Sequence, residues 1–395
     1  MKNKKKNYIK LDFLTHEEKK YLLKLDKLTQ KNIIKQFNKL NILKEDTIPF
    51  RFKLLNLDIT NNNKIILLKL FDNFENLDNT TQEYFKYKIF FDTITNIPFN
   101  IYLNLNIDKN DINNYLLRAK NILNDNIYSH TKTKNYIIQM LGQYITNPKC
   151  IGNIIGLCGP PGTGKTTFVK NIGSILQKPV EIINLSGAQD VSYLEGHSFT
   201  YEGAKYGKIL NTLIKHKCMN PIIFFDEVDK ISSTDKGFEL ENLLINIVDI
   251  TQNYNFTDKY FQELTFDLSQ ILFIFSYNNE TNINPILKDR IYEIKVNSYN
   301  NYDKLILCKN FIIPDILSNY SFNINDLIFN ESSIKYLIDT FCKNDLGIRN
   351  LKKILNNIIS KIHIIYISNN SSIIDINNTI KFPIKLNKNN IKQFL

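Results

Sequence analysis

The chain lacks several features that would set its class at once. No apolar run approaches the roughly eighteen residues needed to cross a bilayer, so a membrane-spanning helix is not expected. The basic opening Met1-Lys-Asn-Lys-Lys-Lys leads into no apolar stretch, which argues against a secretory leader. Cysteine is scarce and scattered: Cys150, Cys158, Cys218, Cys308 and Cys342 are odd in number and show no Cys-x-x-Cys spacing. That argues against a disulfide framework or a zinc cluster and fits reduced thiols in a cytoplasmic or other reducing intracellular compartment. No internal repeat and no low-complexity linker marks off independent modules. Beyond the first six residues no basic block concentrates the net charge of +11. The lysines are dispersed through a chain crowded with Asn, Ile, Lys and Tyr, so the charge reads as compositional, with a polyanionic partner as the alternative.

What is present is 43% hydrophobic and 23% charged, an ordinary globular composition in a chain long enough for two or three domains. Its most informative stretch runs from Ile154 to Thr167. An apolar, β-branched run reads as a buried strand, and Gly159-Pro160-Pro161-Gly162-Thr163-Gly164-Lys165-Thr166 satisfies G-x-x-x-x-G-K-[ST]. The three glycines permit the backbone to turn so that successive N–H groups converge on phosphate oxygens. A helix opening near Lys165 adds the positive end of its dipole. Lys165 is placed to reach the terminal phosphates of a nucleoside triphosphate, with Thr167 beside them, and the Thr166 hydroxyl to ligate Mg²⁺.

Around this stretch the pattern is ordered. Amphipathic spacing predicts a helix or helix pair from Tyr8 to about Leu43, then Phe50 to Leu70 with Asn61-Asn62-Asn63 as a turn. Helices are predicted over Thr80–Thr95, Asp108–Leu123 and Thr131–Tyr144. Strands at Ile154–Cys158, Val180–Leu185, Pro221–Phe225, Ile271–Phe275 and Ile291–Val296 alternate with helices at Lys165–Leu176, Tyr206–His216 and Phe238–Val248. That alternation implies an α/β fold with a parallel sheet sandwiched by helices. After Asn300 the strands stop, and helices at Tyr302–Asn310, Glu331–Phe341 and Ile348–Ile367 form a smaller helical domain. It closes with a short segment Ile380–Leu386 and a helix Lys388–Leu395. The expected divisions are a helical N-terminal region 1–110, a large α/β domain 111–298 and a small helical domain 299–395.

Pro221-Ile-Ile-Phe-Phe-Asp226-Glu227 is an apolar strand ending in two carboxylates. Beside a phosphate loop, Asp226 is placed to hold Mg²⁺ and Glu227 to deprotonate the attacking water. A second apolar strand ends at Asn278, an amide that can orient the same water. Arg290 follows that strand, and Arg349 opens a helix of the small domain. Either guanidinium could stabilise charge on the transferred phosphoryl group.

The order of these motifs resembles an AAA+ P-loop ATPase, and the likeness is narrower than that class. Leu185-Ser-Gly-Ala-Gln-Asp-Val-Ser-Tyr-Leu-Glu-Gly-His197, Thr200-Tyr-Glu-Gly-Ala-Lys-Tyr-Gly-Lys-Ile-Leu210 and Ile286-Leu-Lys-Asp-Arg-Ile-Tyr-Glu-Ile294 are similar to segments of the Lon protease family. Glu83-Tyr-Phe-Lys-Tyr87 with Ile97-Pro-Phe-Asn100 is similar to the stretch preceding that family's ATPase module. The resemblance covers roughly Lys20 to the C-terminus. It implies Asp226 and Glu227 as Walker B, Asn278 as sensor 1, Arg290 as an arginine finger acting in trans and Arg349 as sensor 2. It also implies Tyr128 near the adenine, with Ser129 where the family usually has Gly. Tyr201 and Gly203 match a substrate-gripping pore loop, with Glu202 where an aliphatic residue is usual. The family's N-terminal substrate domain and Ser–Lys peptidase domain are expected to be missing from this chain.

The expected function is an ATP- and Mg²⁺-dependent ring motor, a homo-hexamer by resemblance, that remodels or unfolds protein substrates. It would act alone or hand substrate to a separate peptidase. Two alternatives stay open: an AAA+ ATPase acting on nucleic acid, and a non-enzymatic scaffold joining a Lon-like ring.

Overall fold

A computed structural model describes residues 15–44, 48–148, 154–186, 190–262, 264–320, 322, 326–368 and 383–395. The basic opening, residues 8–14 of the first expected helix, Cys150, residues 187–189 and residues 380–382 lie outside the described residues. The chain divides into two compact units, Met1–Leu57 and Asp58–Leu395, so the helices that follow residue 57 fall with the sheet.

The first unit carries helices His16–Leu22, Lys27–Lys44 and Phe50–Asn56. Thr15 starts the first with a capping box, its hydroxyl accepting the Glu18 N–H while the Glu18 carboxylate accepts the Thr15 N–H at 2.7 Å. Asp26 starts the second by accepting the N–H groups of Leu28 and Thr29, both at 3.0 Å. The predicted helix or pair is therefore a pair.

In the second unit Asn61–Asn63 is not a turn. Thr60 is an N-cap whose hydroxyl accepts the Asn63 N–H, and the three asparagines form the first turn of helix Asn61–Glu75. Helices Gln82–Ile94, Ile112–Asn126 and Thr131–Thr146 follow.

The central sheet is built from β1 (Ile154–Cys158), β2 (Val180–Asn184), β3 (Ile222–Asp226), β6 (Leu272–Tyr277) and β7 (Tyr292–Lys295), all parallel in the order β2-β3-β6-β1-β7. A small antiparallel pair, β4 (Phe256–Thr257) and β5 (Thr265–Phe266), precedes β6. Alternate residues Ile155, Leu157, Ile222, Phe224, Leu272 and Ile274 share one core with helix Lys165–Leu176 and the helix pair Ile112–Asn126 and Thr131–Thr146. The intervening Ile223, Phe225, Phe273 and Phe275 are equally buried, with Phe225 stacked on Phe275 at 5.3 Å. Burial of both faces explains why these strands read as continuous apolar runs.

After the sheet, helix Asn301–Leu307 continues through a π turn, Cys308–Ile312, into Ile313–Asn319. Helices Glu331–Phe341 and Arg349–Ser368 complete a second core around Leu337, Leu355, Ile358 and Phe394. The expectation that strands stop after Asn300 is corrected here: β8 (Leu327–Phe329) pairs in parallel with β9 (Ile384–Leu386). Three residues are too few for a period of two to register in sequence. The expected closing helix is a 3₁₀ turn, Asn390–Phe394. Among the described residues no helix is long and apolar enough to cross a membrane.

The edge strand β2 is tied to helix Lys208–His216 by one carboxylate. Glu181 has a side chain only 7% exposed and accepts from Lys208 and Lys215 at 2.7 Å and from His216 at 2.9 Å. Burial alone would raise its pKa, but the three hydrogen bonds outweigh that and hold it at about 2. Glu181→Gln should therefore cost about 1–2 kcal/mol at neutral pH, by removing a buried charge whose cationic partners are themselves partly exposed to solvent. Because the folded-state pKa lies below the usual value of 4.5, the difference between wild type and variant should be complete above that pH and vanish as pH falls toward 2. Urea unfolding curves across pH check both statements.

Candidate nucleotide-binding site at the strand tips

The register aligns Cys158 of β1 with Tyr277 of β6, and β3 ends beside them at Asp226. The loop after β1 and the acids after β3 therefore emerge at one edge of the sheet. Gly159 lets the loop leave β1 in close contact with β7: a Cβ there would lie 2.1 Å from the Val296 carbonyl oxygen. Gly162 and Gly164 have φ of +77° and +92°, the left-handed turns that the motif requires. The first backbone bond into helix Lys165–Leu176 runs from the Phe168 N–H to the Gly164 carbonyl, leaving the preceding amides without intrahelical acceptors. Thr163 is buried and donates to the Pro160 carbonyl at 2.8 Å, closing the loop on itself.

Lys165 is only 9% exposed. Its Nζ donates to the Gly159 and Pro160 carbonyls and, at 2.7 Å, to Asn278 Oδ1. Burial lowers its pKa, opposed by the nearby charges of Asp226, Asp229, Cys158 and Glu227. The acids are held from below by Ser276, whose hydroxyl donates to Asp226 Oδ1 and accepts the Glu227 N–H at 3.2 Å. Glu227 has φ +60°, a left-handed conformation uncommon for a residue with a side chain. Lys165, Asn278, Asp226 and Glu227 thus form one cluster, and Thr166, half-buried, lies next to Lys165 at the helix start.

The small helical core reaches this cluster through backbone contacts. Ile348 N–H donates to the Gly162 carbonyl at 3.1 Å, and a Cβ on Gly162 would lie 3.2 Å from that of Arg349. Gly347 packs so closely that its own Cβ would come within 2.2 Å of the Pro161 carbonyl oxygen. Tyr299 hydroxyl donates to the Thr163 carbonyl at 3.0 Å and lies 3.1 Å from His130 Nε2. Lys304 is buried and donates to the carbonyls of Cys342 (2.9 Å) and Asp345 (2.6 Å), fixing the turn before Gly347. Tyr128 packs against the same core, with its pKa raised by burial and by Asp303. Ser129 and His130 follow it at φ +62° and +56°, left-handed conformations that glycine adopts more readily than a residue with a side chain.

Two groups lie elsewhere. Arg290 touches the end of helix Asp235–Val248, where its Nη1 donates to the Ile245 carbonyl at 2.8 Å and meets Asp249 at 2.9 Å. Its side chain remains 31% exposed. Tyr201 and Gly203 sit on the loop before helix Lys208–His216, with Tyr201 67% exposed and Gly203 at φ +74°. Ser276, Tyr299 and Lys304 escaped the reading of the sequence. Ser276 stood inside a strand otherwise read as apolar, and the other two carried no motif at all.

Gly347→Ala should push the helix that Arg349 opens away from the phosphate loop. Fluorescent-nucleotide titration is expected to show at least about a tenfold loss of affinity, or 1.4 kcal/mol, with the far-ultraviolet circular dichroism unchanged.

Residues 155–298 match the ATPase family associated with various cellular activities (AAA). The chain is 39% identical over 252 residues to a Lon protease homolog of Acanthamoeba polyphaga mimivirus, covering 64% of this chain and 24% of that protein. It is 33% identical over 281 residues to the Lon protease of Malacoplasma penetrans, covering 71% of this chain and 35% of that protein. For the Lon protease of Ureaplasma parvum the figures are 31% over 331 residues, 84% and 40%. These alignments span about a quarter to two fifths of each relative. With the phosphate loop, the paired acids and the strand-end amide all inside the matched region, residues 155–298 form an AAA-type ATPase module, and the chain is similar over that module and its flanks to Lon proteases.

Proposed function

We propose that this chain hydrolyses ATP with Mg²⁺ and, as a ring of identical copies, uses the energy to remodel or unfold polypeptides. The observation that carries the reading is the meeting of Lys165, Asn278, Asp226 and Glu227 at one set of strand tips, with Lys165 Nζ 2.7 Å from Asn278 Oδ1. A phosphate-binding ammonium, a metal-binding acid, a base and a water-orienting amide are the full set that hydrolysis needs.

The residues from Gly159 to Thr167 bind the phosphates through backbone N–H groups and the Lys165 ammonium. Thr166 and Asp226 would hold Mg²⁺, which supplies neutralising charge to the phosphate oxygens. Glu227 takes the proton of the attacking water while Asn278 accepts its second hydrogen and orients it. Arg349 steadies negative charge from within the chain, and Tyr128 borders the adenine. Arg290 has one nitrogen committed to its own subunit and a partly exposed guanidinium, which suits a group that completes the site of a neighbouring copy. An exposed tyrosine on a glycine-containing loop, as at Tyr201 and Gly203, suits a surface that grips an extended polypeptide. A hexameric ring and hand-over to a separate peptidase belong to the same proposal.

Two measurements test it. Glu227→Gln should bind ATP with near wild-type affinity while phosphate release falls by about 10²–10⁴-fold. Arg290→Ala and Lys165→Ala should each be inactive alone, yet mixing the two purified variants should restore part of the activity. No recovery on mixing, with assembly intact, would place Arg290 outside the neighbouring site.

A further inference from the structure

The β3–β6 pairing ends at Phe225 and Phe275, one residue before the acids begin. Beyond that point no ladder bond fixes the base-bearing turn relative to Asn278. Ser276 ties Asp226 and the Glu227 amide to β6. The remaining bonds come from Asp229, which has no part in the reading above. Asp229 lies in the short 3₁₀ turn Val228–Lys230 and is 7% exposed. Its Oδ2 accepts the N–H groups of Asn278 at 3.1 Å and Asn279 at 3.2 Å. Its Oδ1 is buried with no hydrogen-bond partner.

We propose that Asp229 is a positioning residue for hydrolysis: it locks the backbone of Asn278 to the turn that carries Glu227, so that the amide and the base stay at a fixed separation around the attacking water. The inference rests on the ATPase reading. Three observations converge on it. The two N–H bonds go to the same oxygen, so a single carboxylate spans both residues at the strand tip. Hydrogen bonds to a charged acceptor are about twice as strong as neutral ones, which suits a tether that must hold a backbone against an incoming ligand. The turn it braces contains Glu227 in a left-handed conformation, which persists only where its surroundings over-determine it. An acid kept buried with one oxygen unbonded is costly to the fold, and a site held for catalysis is where such a cost is retained.

The chemistry separates the variants. In Asp229→Asn the side-chain oxygen can still accept both N–H groups, but the charge is lost. In Asp229→Ala both N–H groups lose their acceptor. Steady-state ATPase rates and fluorescent-nucleotide affinities of the full chain should therefore diverge. For Asp229→Ala we expect kcat to fall at least about 30-fold, with nucleotide affinity within about threefold of wild type. For Asp229→Asn we expect a smaller loss, about three- to tenfold. In an Asn278→Ala background neither substitution should lower kcat further, since the residue being positioned is gone. A purely structural role would instead lower kcat and affinity together and would multiply with Asn278→Ala. If Asp229→Ala does not fold, the Asp229→Asn and Asn278→Ala pair decides by the same criterion. An active wild type with an equally active Asp229→Asn and Asp229→Ala overturns the positioning role alone. A wild type that binds nucleotide and releases no phosphate overturns the ATPase reading and this inference with it.

Discussion

The site depends on one buried ammonium. Lys165 is held by two carbonyls of its own loop and by the amide oxygen of Asn278, from a neighbouring strand. A cation this far from water must be surrounded by acceptors, and the β1–β6 ladder supplies them by bringing the loop after β1 to the tip of β6. Gly159 has to be a glycine because the loop leaves β1 against the backbone of β7. Ser276, one residue before the end of β6, faces the acids because β6 lies beside β3 in the sheet.

The small helical core bears on the main chain of the same loop. Ile348 donates to Gly162, Gly347 touches Pro161, and Tyr299 donates to Thr163, so three contacts bear on three consecutive loop residues. Lys304 stiffens the turn that makes the first two. The first two contacts are main chain to main chain, so movement at the start of helix Arg349–Ser368 passes to the loop with no flexible side chain between to absorb it. Close packing of this kind transmits displacement in steps instead of smoothly.

Strained backbone gathers here as well. Ser129, His130 and Glu227 all have positive φ without being glycine. His130 is pinned between Tyr299 and Phe168, and burial, with Lys134 adding to it, lowers the pKa of its imidazole. Such conformations cost of order 1–3 kcal/mol each and are kept where the surroundings define them fully. Their neighbours are Tyr128 and the two acids, the residues proposed to flank the nucleotide at opposite ends.

By itself the sequence determined the parallel sheet, the phosphate loop, the paired acids at Asp226 and Glu227 and the strand-end amide at Asn278. Each of these is written locally, as an apolar run with a fixed break or as residue types at a fixed spacing, and local signals survive without knowledge of the fold. Only the tertiary structure decided that Lys165 bonds Asn278, that Ser276 and Asp229 brace the tips, that Arg290 rests on Asp249, and that β8 finds β9. Those contacts join residues many positions apart, through hydrogen bonds that leave no periodic trace in the chain. They depend on strand order and register, which the order of motifs along the sequence does not encode.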